Sequence, residues 1–123
     1  MKQTEIKSMH HQFTCVDQKE LEGTDRLYSI FLSSRRSEEV VQVPDRYIVN
    51  DQTFLCGFET HWDSLSDLSS GLSYYGTTVI PLSSLHVFQQ RLKEDPNASC
   101  LKALIQLCSV AMKKGLDLLH WGI

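Results

Sequence analysis

The residues of this chain best suited to chemistry stand together at Glu59-Thr60-His61-Trp62-Asp63. In an extended segment alternate side chains share one face, so Glu59, His61 and Asp63 would place two carboxylates around an imidazole. Such a set could bind a divalent metal. It could also work as a general acid–base group, because a carboxylate raises the pKa of a nearby imidazole. Nothing else in the chain supplies the further ligands a metal would want, and the favoured reading is a polar loop entering a helix with Asp63 as its N-cap. His10 and His11 are adjacent, so a strand would point them to opposite faces. Even with Cys15 they fall short of the four ligands of a structural zinc site, and an edge strand is expected there. His86 and His120 read as ordinary polar or half-buried positions. No G-x-S-x-G, S-x-x-K or glycine-rich phosphate loop is present. The expectation is no catalytic residue, no metal and no cofactor.

Charge carries more information than any motif. Residues 1–72 hold 12 acidic and 7 basic side chains, whereas residues 73–123 hold 3 acidic and 5 basic. The imbalance is sharpest between Ser37 and Leu72, where Glu38, Glu39, Asp45, Asp51, Glu59, Asp63 and Asp67 face only Arg46, a net charge of −6. Such density disfavours nucleic acid or an anionic membrane as a partner and favours a basic protein. Arg35-Arg36 is too short a basic tract to change that. Trp62, Tyr74 and Tyr75 flank the acidic segment. Aromatic side chains with a polar edge suit the centre of an interface, and carboxylates beside them give steering and register. Glu38, Glu39, Asp45, Asp51, Glu59, Trp62, Asp63, Asp67, Tyr74 and Tyr75 are therefore the candidate partner-binding residues. The competing readings are a solvated acidic surface and, for Trp62 especially, a place in the core.

The elements that must position these residues follow from periodicity. Strands are expected over Ile6–Val16, Leu27–Leu32, Glu39–Val43, Arg46–Val49 and Thr53–Phe58. The last two would form a hairpin around Asn50-Asp51-Gln52, giving an antiparallel meander. Trp62, Leu65, Leu68 and Leu72, spaced by three, three and four, predict a short helix ending near Gly71. Thr77–Ile80 reads as a strand. Ser83 can cap a helix carrying Leu85, Phe88 and Leu92, and Asp95-Pro96-Asn97 breaks it. Leu101, Leu104, Ile105, Cys108, Ala111 and Met112 then give a strong helical period, with Lys113 and Lys114 in the last turn and Gly115 at C′. Leu116–Trp121 returns as a strand. The fold class is α+β: a mostly antiparallel sheet with two C-terminal helices on one face and a C-terminal strand.

A length of 123 residues suits one domain, drawn over 1–123, and 41% apolar with 22% charged residues is ordinary for a folded globular chain. No apolar run approaches a membrane span. Residues 1–7 lack the apolar core of a signal peptide, so the cytoplasm is the expected compartment. Cys100 and Cys108 would lie about 12 Å apart along one helix, too far for a disulfide. All four cysteines are expected to be reduced and mostly buried.

The segment Trp62–Ile80, with Gly71-Leu72-Ser73-Tyr74-Tyr75-Gly76-Thr77-Thr78-Val79-Ile80, resembles small bacterial immunity proteins of polymorphic toxin and contact-dependent growth inhibition systems. The closing helix–glycine–strand unit ending at Trp121-Gly122-Ile123 is similar in style. The resemblance implies a cytoplasmic, non-enzymatic protein that binds one cognate toxin domain, commonly a nuclease. A nuclease must be basic where it holds phosphates, so an acidic inhibitor gains on-rate and specificity. The alternatives are a small metal-dependent hydrolase using Glu59, His61 and Asp63, and an adaptor domain for another basic protein.

Overall fold

The run from Leu101 to Gly115 dictates its own structure. Its apolar residues recur at helical spacing, and helix α3 spans Lys102–Lys114 with Leu104, Leu107, Cys108 and Ala111 buried. Gly115 closes it at φ 71°, ψ 37°, taking its backbone N–H to the carbonyls of Ala111 and Met112. A computed structural model describes residues 9–17, 40–62 and 68–122 of the chain. In chain order it contains strand β1 (His10–Val16), strand β2 (Val41–Pro44), a 3-10 turn (Asp45–Tyr47), helix α1 (Gln52–Leu55), strands β3 (Glu59–Trp62), β4 (Leu68–Ser70) and β5 (Thr77–Ile80), helix α2 (Leu82–Glu94), a second 3-10 turn (Ala98–Cys100), α3, and strand β6 (Asp117–Trp121). The expected strand Leu27–Leu32 lies outside the described residues.

Among the described residues the sheet has six strands in the order β2-β1-β6-β5-β3-β4, and every neighbouring pair is antiparallel. The α+β architecture is thus the one expected, but the meander is not. The last strand, β6, inserts at the centre, pairing Phe13↔His120 on one side and Thr78↔His120 on the other. Its burial explains the placement: Asp117, Leu118, Leu119 and His120 are all buried, as suits a strand covered on both faces.

Helices α2 and α3 pack on one face. Leu85, Phe88 and Leu92 of α2 and Leu104 of α3 are 0% exposed and join Phe13, Ile80 and Leu118 in the main core. Burying each such side chain contributes roughly 1.5–3 kcal/mol. Val16, Val79 and Leu119, with Trp121 against them, form a smaller cluster on the other face.

Five local expectations are corrected. The edge strand expected at His10 and His11 is instead β1, which lies between β2 and β6, with His11 buried. The Asn50-Asp51-Gln52 hairpin is absent. Asn50 takes φ 60°, and Asp51 caps α1 by accepting the Thr53 N–H at 2.9 Å. A side-chain cap here outcompetes strand pairing. The described residues at both ends of the helix expected over Trp62–Leu72 are strand, and residues 63–67 between them lie outside the described residues. Trp62 ends β3 opposite Thr78 of β5, and Leu68–Ser70 returns as β4 with His61↔Leu68 in register. The triplet spacing of the apolar residues was coincidental, for Leu68 is 65% exposed while Leu72 is 2%. Ser83 makes no cap, since α2 begins at Leu82 and Asp117 of β6 accepts the Leu82 N–H at 2.7 Å. A carboxylate brought across the fold therefore serves the helix N-terminus. Finally, the cysteines are free, but Cys56 and Cys100 are exposed, and Cys15 is half-buried. Cys108 is buried, and burial pushes its thiol up to about 12.

Candidate partner-binding site

One end of the sheet gathers a connected set of polar side chains. The start of β1, the end of β2, the start of β5 and the end of β6 meet there, as the pairs His10↔Pro44, Gln12↔Trp121 and Thr77↔Trp121 require. Asp45 follows β2 and gives its N–H to the Met9 carbonyl at 3.1 Å. Tyr74 and Tyr75 sit in the turn before β5. The Gly76 carbonyl accepts the Gly122 N–H at 2.7 Å, and Thr78 Oγ1 accepts the Ser73 N–H at 2.8 Å. A side chain at Gly122 would overlap the Tyr74 carbonyl, so a glycine is what lets this turn lie against the end of β6.

A continuous hydrogen-bonded run crosses this end. The Tyr74 hydroxyl donates to Asp45 Oδ1 at 2.6 Å. The same oxygen lies 2.9 Å from His11 Nε2. His11 Nδ1 lies 2.9 Å from His120 Nε2, and His120 Nδ1 lies 3.1 Å from Thr78 Oγ1. One assignment of hydrogens satisfies every partner. The Thr78 hydroxyl donates to His120 Nδ1, His120 Nε2–H donates to His11 Nδ1, and His11 Nε2–H donates to the Asp45 carboxylate. Both imidazoles are then neutral. Burial favours this state, lowering the pKa of His11 despite the hydrogen bond and charge of Asp45. His120 is held well below the ordinary value by burial and by the proximity of His11. Tyr74 is pushed up, by burial and then by Asp45.

Both histidines are 0% exposed, so no substrate reaches them; the run is a buttress beneath the surface. What it holds at the surface is Asp45, half-buried, and Tyr74, whose ring meets Tyr75 edge-on at 4.7 Å. Tyr75 is 78% exposed. Asp45, Tyr74 and Tyr75 are thus gathered into one corner.

The other candidates are dispersed. Asp51 belongs to a second group, in which the Thr53 hydroxyl donates to Asp95 Oδ2 at 2.7 Å and the Asn97 N–H to Asp95 Oδ1 at 2.7 Å. Burial and a hydrogen bond to Asp95 raise the pKa of Asp51. Burial acts the same way on Asp95, but donors from Asn97, Thr53 and Asp51 outweigh it and lower its pKa. Glu59 is exposed at the start of β3, where its carbonyl accepts the Ser84 hydroxyl at 2.8 Å. The Trp62 indole N–H is committed to the Gly71 carbonyl at 2.8 Å. Glu38, Glu39, Asp63 and Asp67 lie outside the described residues.

Glu59 and His61 do alternate on β3, but Asp63, the third member of that set, is not described. Among the described residues no group of three or more His, Cys, Asp and Glu side chains is placed to hold a metal ion. No helix among them is long and apolar enough to cross a membrane. Sequence reasoning missed the His11–His120 pair, reading His120 as an ordinary polar position. The two are 109 positions apart, and no local pattern announces such a contact. The available signal was an unexplained histidine in the apolar run Leu118-Leu119-His120-Trp121.

No protein-family model matches this chain, and no curated protein matches it by sequence. Among solved structures it is similar to the Neisseria DNA mimic protein DMP12, with a TM-score of 0.53 over 91% of this chain and 98% of that chain, at 14% identity. At that identity the similarity is one of fold. The resemblance to immunity proteins acquires no family match.

Proposed function

We propose that this protein binds and neutralises a basic, nucleic-acid-handling protein through its acidic surface, and that the partner is the nuclease domain of a cognate toxin. The observation that carries the reading is the segment from Ser37 to Leu72, with its net charge of −6. Asp45 of that segment is held against the aromatic pair Tyr74–Tyr75. A rigid aromatic anchor with a carboxylate beside it suits an interface centre. The further carboxylates of that segment, Glu38, Glu39, Asp51, Glu59, Asp63 and Asp67, would supply long-range steering through its net charge. A solved structure similar in fold is titled a DNA mimic protein. For this chain, mimicry would mean carboxylates standing where phosphates stand on a basic nuclease surface.

The cytoplasm is the compartment in which such an inhibitor would protect its own cell, and one domain over residues 1–123 suffices for the task. The test looks for a toxin nuclease domain encoded beside this chain and purifies it; a neighbourhood that encodes none would count against the toxin reading. Equimolar addition should abolish nuclease activity and give a single complex on size-exclusion chromatography. Full nuclease activity at a large molar excess, with no complex, would contradict the proposal. A complex that leaves nuclease activity intact would shift the reading to an adaptor for a basic protein.

A further inference from the structure

We infer that Asp45 and Tyr75 form a subsite for one arginine side chain of a basic protein partner, which lies along the Tyr75 ring and gives its guanidinium to the free carboxylate oxygen of Asp45. Half of that carboxylate is committed. The Tyr74 hydroxyl and His11 Nε2 both meet Oδ1, at 2.6 and 2.9 Å. Among the described residues no hydrogen bond or ion pair reaches Oδ2. Two bonds on one oxygen hold the group in place, so the other offers its lone pairs with little freedom left to lose on binding. The Asp45 side chain is 16% exposed. An ion pair formed there is screened less by water than one on an open surface. The nearest cation in sequence, Arg46, does not take this place. Its guanidinium carbon lies 4.7 Å from the centroid of the Tyr47 ring, and its Nη2 donates to the Tyr47 hydroxyl at 3.3 Å.

Apolar surface gathers around the same carboxylate. Met9, Val49 and Tyr75 are three of the five large apolar side chains exposed among the described residues, and all three belong to segments tied to Asp45. The Met9 carbonyl accepts the Asp45 N–H at 3.1 Å, and the Val49 N–H donates to the Asp45 carbonyl at 2.9 Å. Tyr75 follows Tyr74, whose hydroxyl is on Asp45. Exposed apolar residues collected around one charge mark an interaction surface, where scattered ones would not. The charge selects a cation, and the aromatic ring selects which cation. Tyr75 is bare except where Tyr74 meets it edge-on. The Tyr74 ring alone separates it from Asp45, a gap that a long side chain spans. Arginine can lay its stem and planar guanidinium along an aromatic surface and still donate an N–H to a carboxylate, whereas the compact ammonium of lysine gives up one contact for the other. The Asp51–Asp95 group offers no such place. Its carboxylates already accept from the Thr53 N–H, the Thr53 hydroxyl and the Asn97 N–H.

The identity of the partner rests on the proposed function; the preference for a guanidinium does not. The test titrates oligoarginine and oligolysine peptides of equal length into the isotopically labelled full chain at low ionic strength and follows its amide signals by NMR. The arginine peptide should bind at least about threefold more tightly than the lysine peptide, with the largest shifts at Asp45 and residues 74–76. Tyr75→Ala, at an exposed position that leaves the fold intact, should bring the ratio of the two affinities to about one. Asp45→Asn should weaken the arginine peptide at least about threefold. Equal affinities in the parent, a preference retained by Tyr75→Ala, or shifts centred on Asp51 and Asp95 would overturn the subsite. An arginine preference at this corner with no toxin complex would contradict the proposed function and leave the subsite standing. A toxin nuclease that is bound and inhibited equally well by the parent, Tyr75→Ala and Asp45→Asn would do the reverse.

Discussion

The Tyr74 hydroxyl donates to Asp45 Oδ1 at 2.6 Å. This bond ties the acidic segment to the aromatic turn before β5 and makes a surface corner out of residues 29 positions apart. Beneath it the His11–His120 pair carries the same oxygen back into the sheet. The corner is therefore fixed by core chemistry.

Removing that hydroxyl should cost stability without changing the fold. Tyr74→Phe is expected to lower the unfolding free energy by about 1–2 kcal/mol, as loss of a hydrogen bond to a partly exposed carboxylate does. Urea denaturation measures it, and the m-value should stay unchanged. A variant as stable as the parent would show that Asp45 is held by His11 alone.

Two glycines with the same φ of 71° should respond differently to alanine. At Gly71 an added Cβ would overlap the backbone of Leu55, whereas at Gly115 it would meet open space. Gly115→Ala should cost about 1–2 kcal/mol, the left-handed penalty alone. Gly71→Ala should cost at least about 3 kcal/mol, since backbone overlap is added. Equal losses in urea titrations would remove the distinction.

Stability should fall as pH drops through the histidine range. Both folded pKa values are lowered from 6.5, so below that value the unfolded chain binds more protons than the folded one. The contribution is full above about pH 7 and is lost as pH falls from 6.5 towards the depressed folded values. A loss of about 1–3 kcal/mol between about pH 7 and pH 5.5 is expected from urea titrations. His120→Asn should show a shallower slope, and an equal slope would assign the effect elsewhere.

Tyr75 separates binding from folding. Its ring is 78% exposed, so Tyr75→Ala should change unfolding free energy by less than about 0.5 kcal/mol. As an interface anchor it should nevertheless weaken the toxin complex by about 2 kcal/mol or more, mainly through faster dissociation. Unaltered affinity by calorimetry would take Tyr75 out of the interface.

What could be read in the sequence was what local forces decide. Helix α3 was legible because apolar period, terminal lysines and Gly115 all agree, and its burial follows. Thr77–Ile80 was legible because a β-branched run bounded by Gly76 and Pro81 has few other uses. The β3–β4 hairpin was not legible. Trp62 and Leu68 happen to share a helical spacing, while β5 pairing fixes Trp62 and His61 as strand. The central place of β6 and the His11–His120 bond depend on contacts across the whole chain, and no local pattern encodes them. The acidity of residues 37–72 was plain from composition, yet only the structure brings Asp45 to Tyr74 and takes Asp51 to Asp95.

The most direct test of the account is the rate at which this protein associates with the toxin nuclease domain when its acidic surface is reversed. Glu59→Lys, Asp63→Lys and Asp67→Lys together, measured by stopped-flow at low ionic strength, should slow association at least about tenfold and flatten its salt dependence. An association rate and salt dependence equal to the parent's would contradict an acidic surface that steers a basic partner.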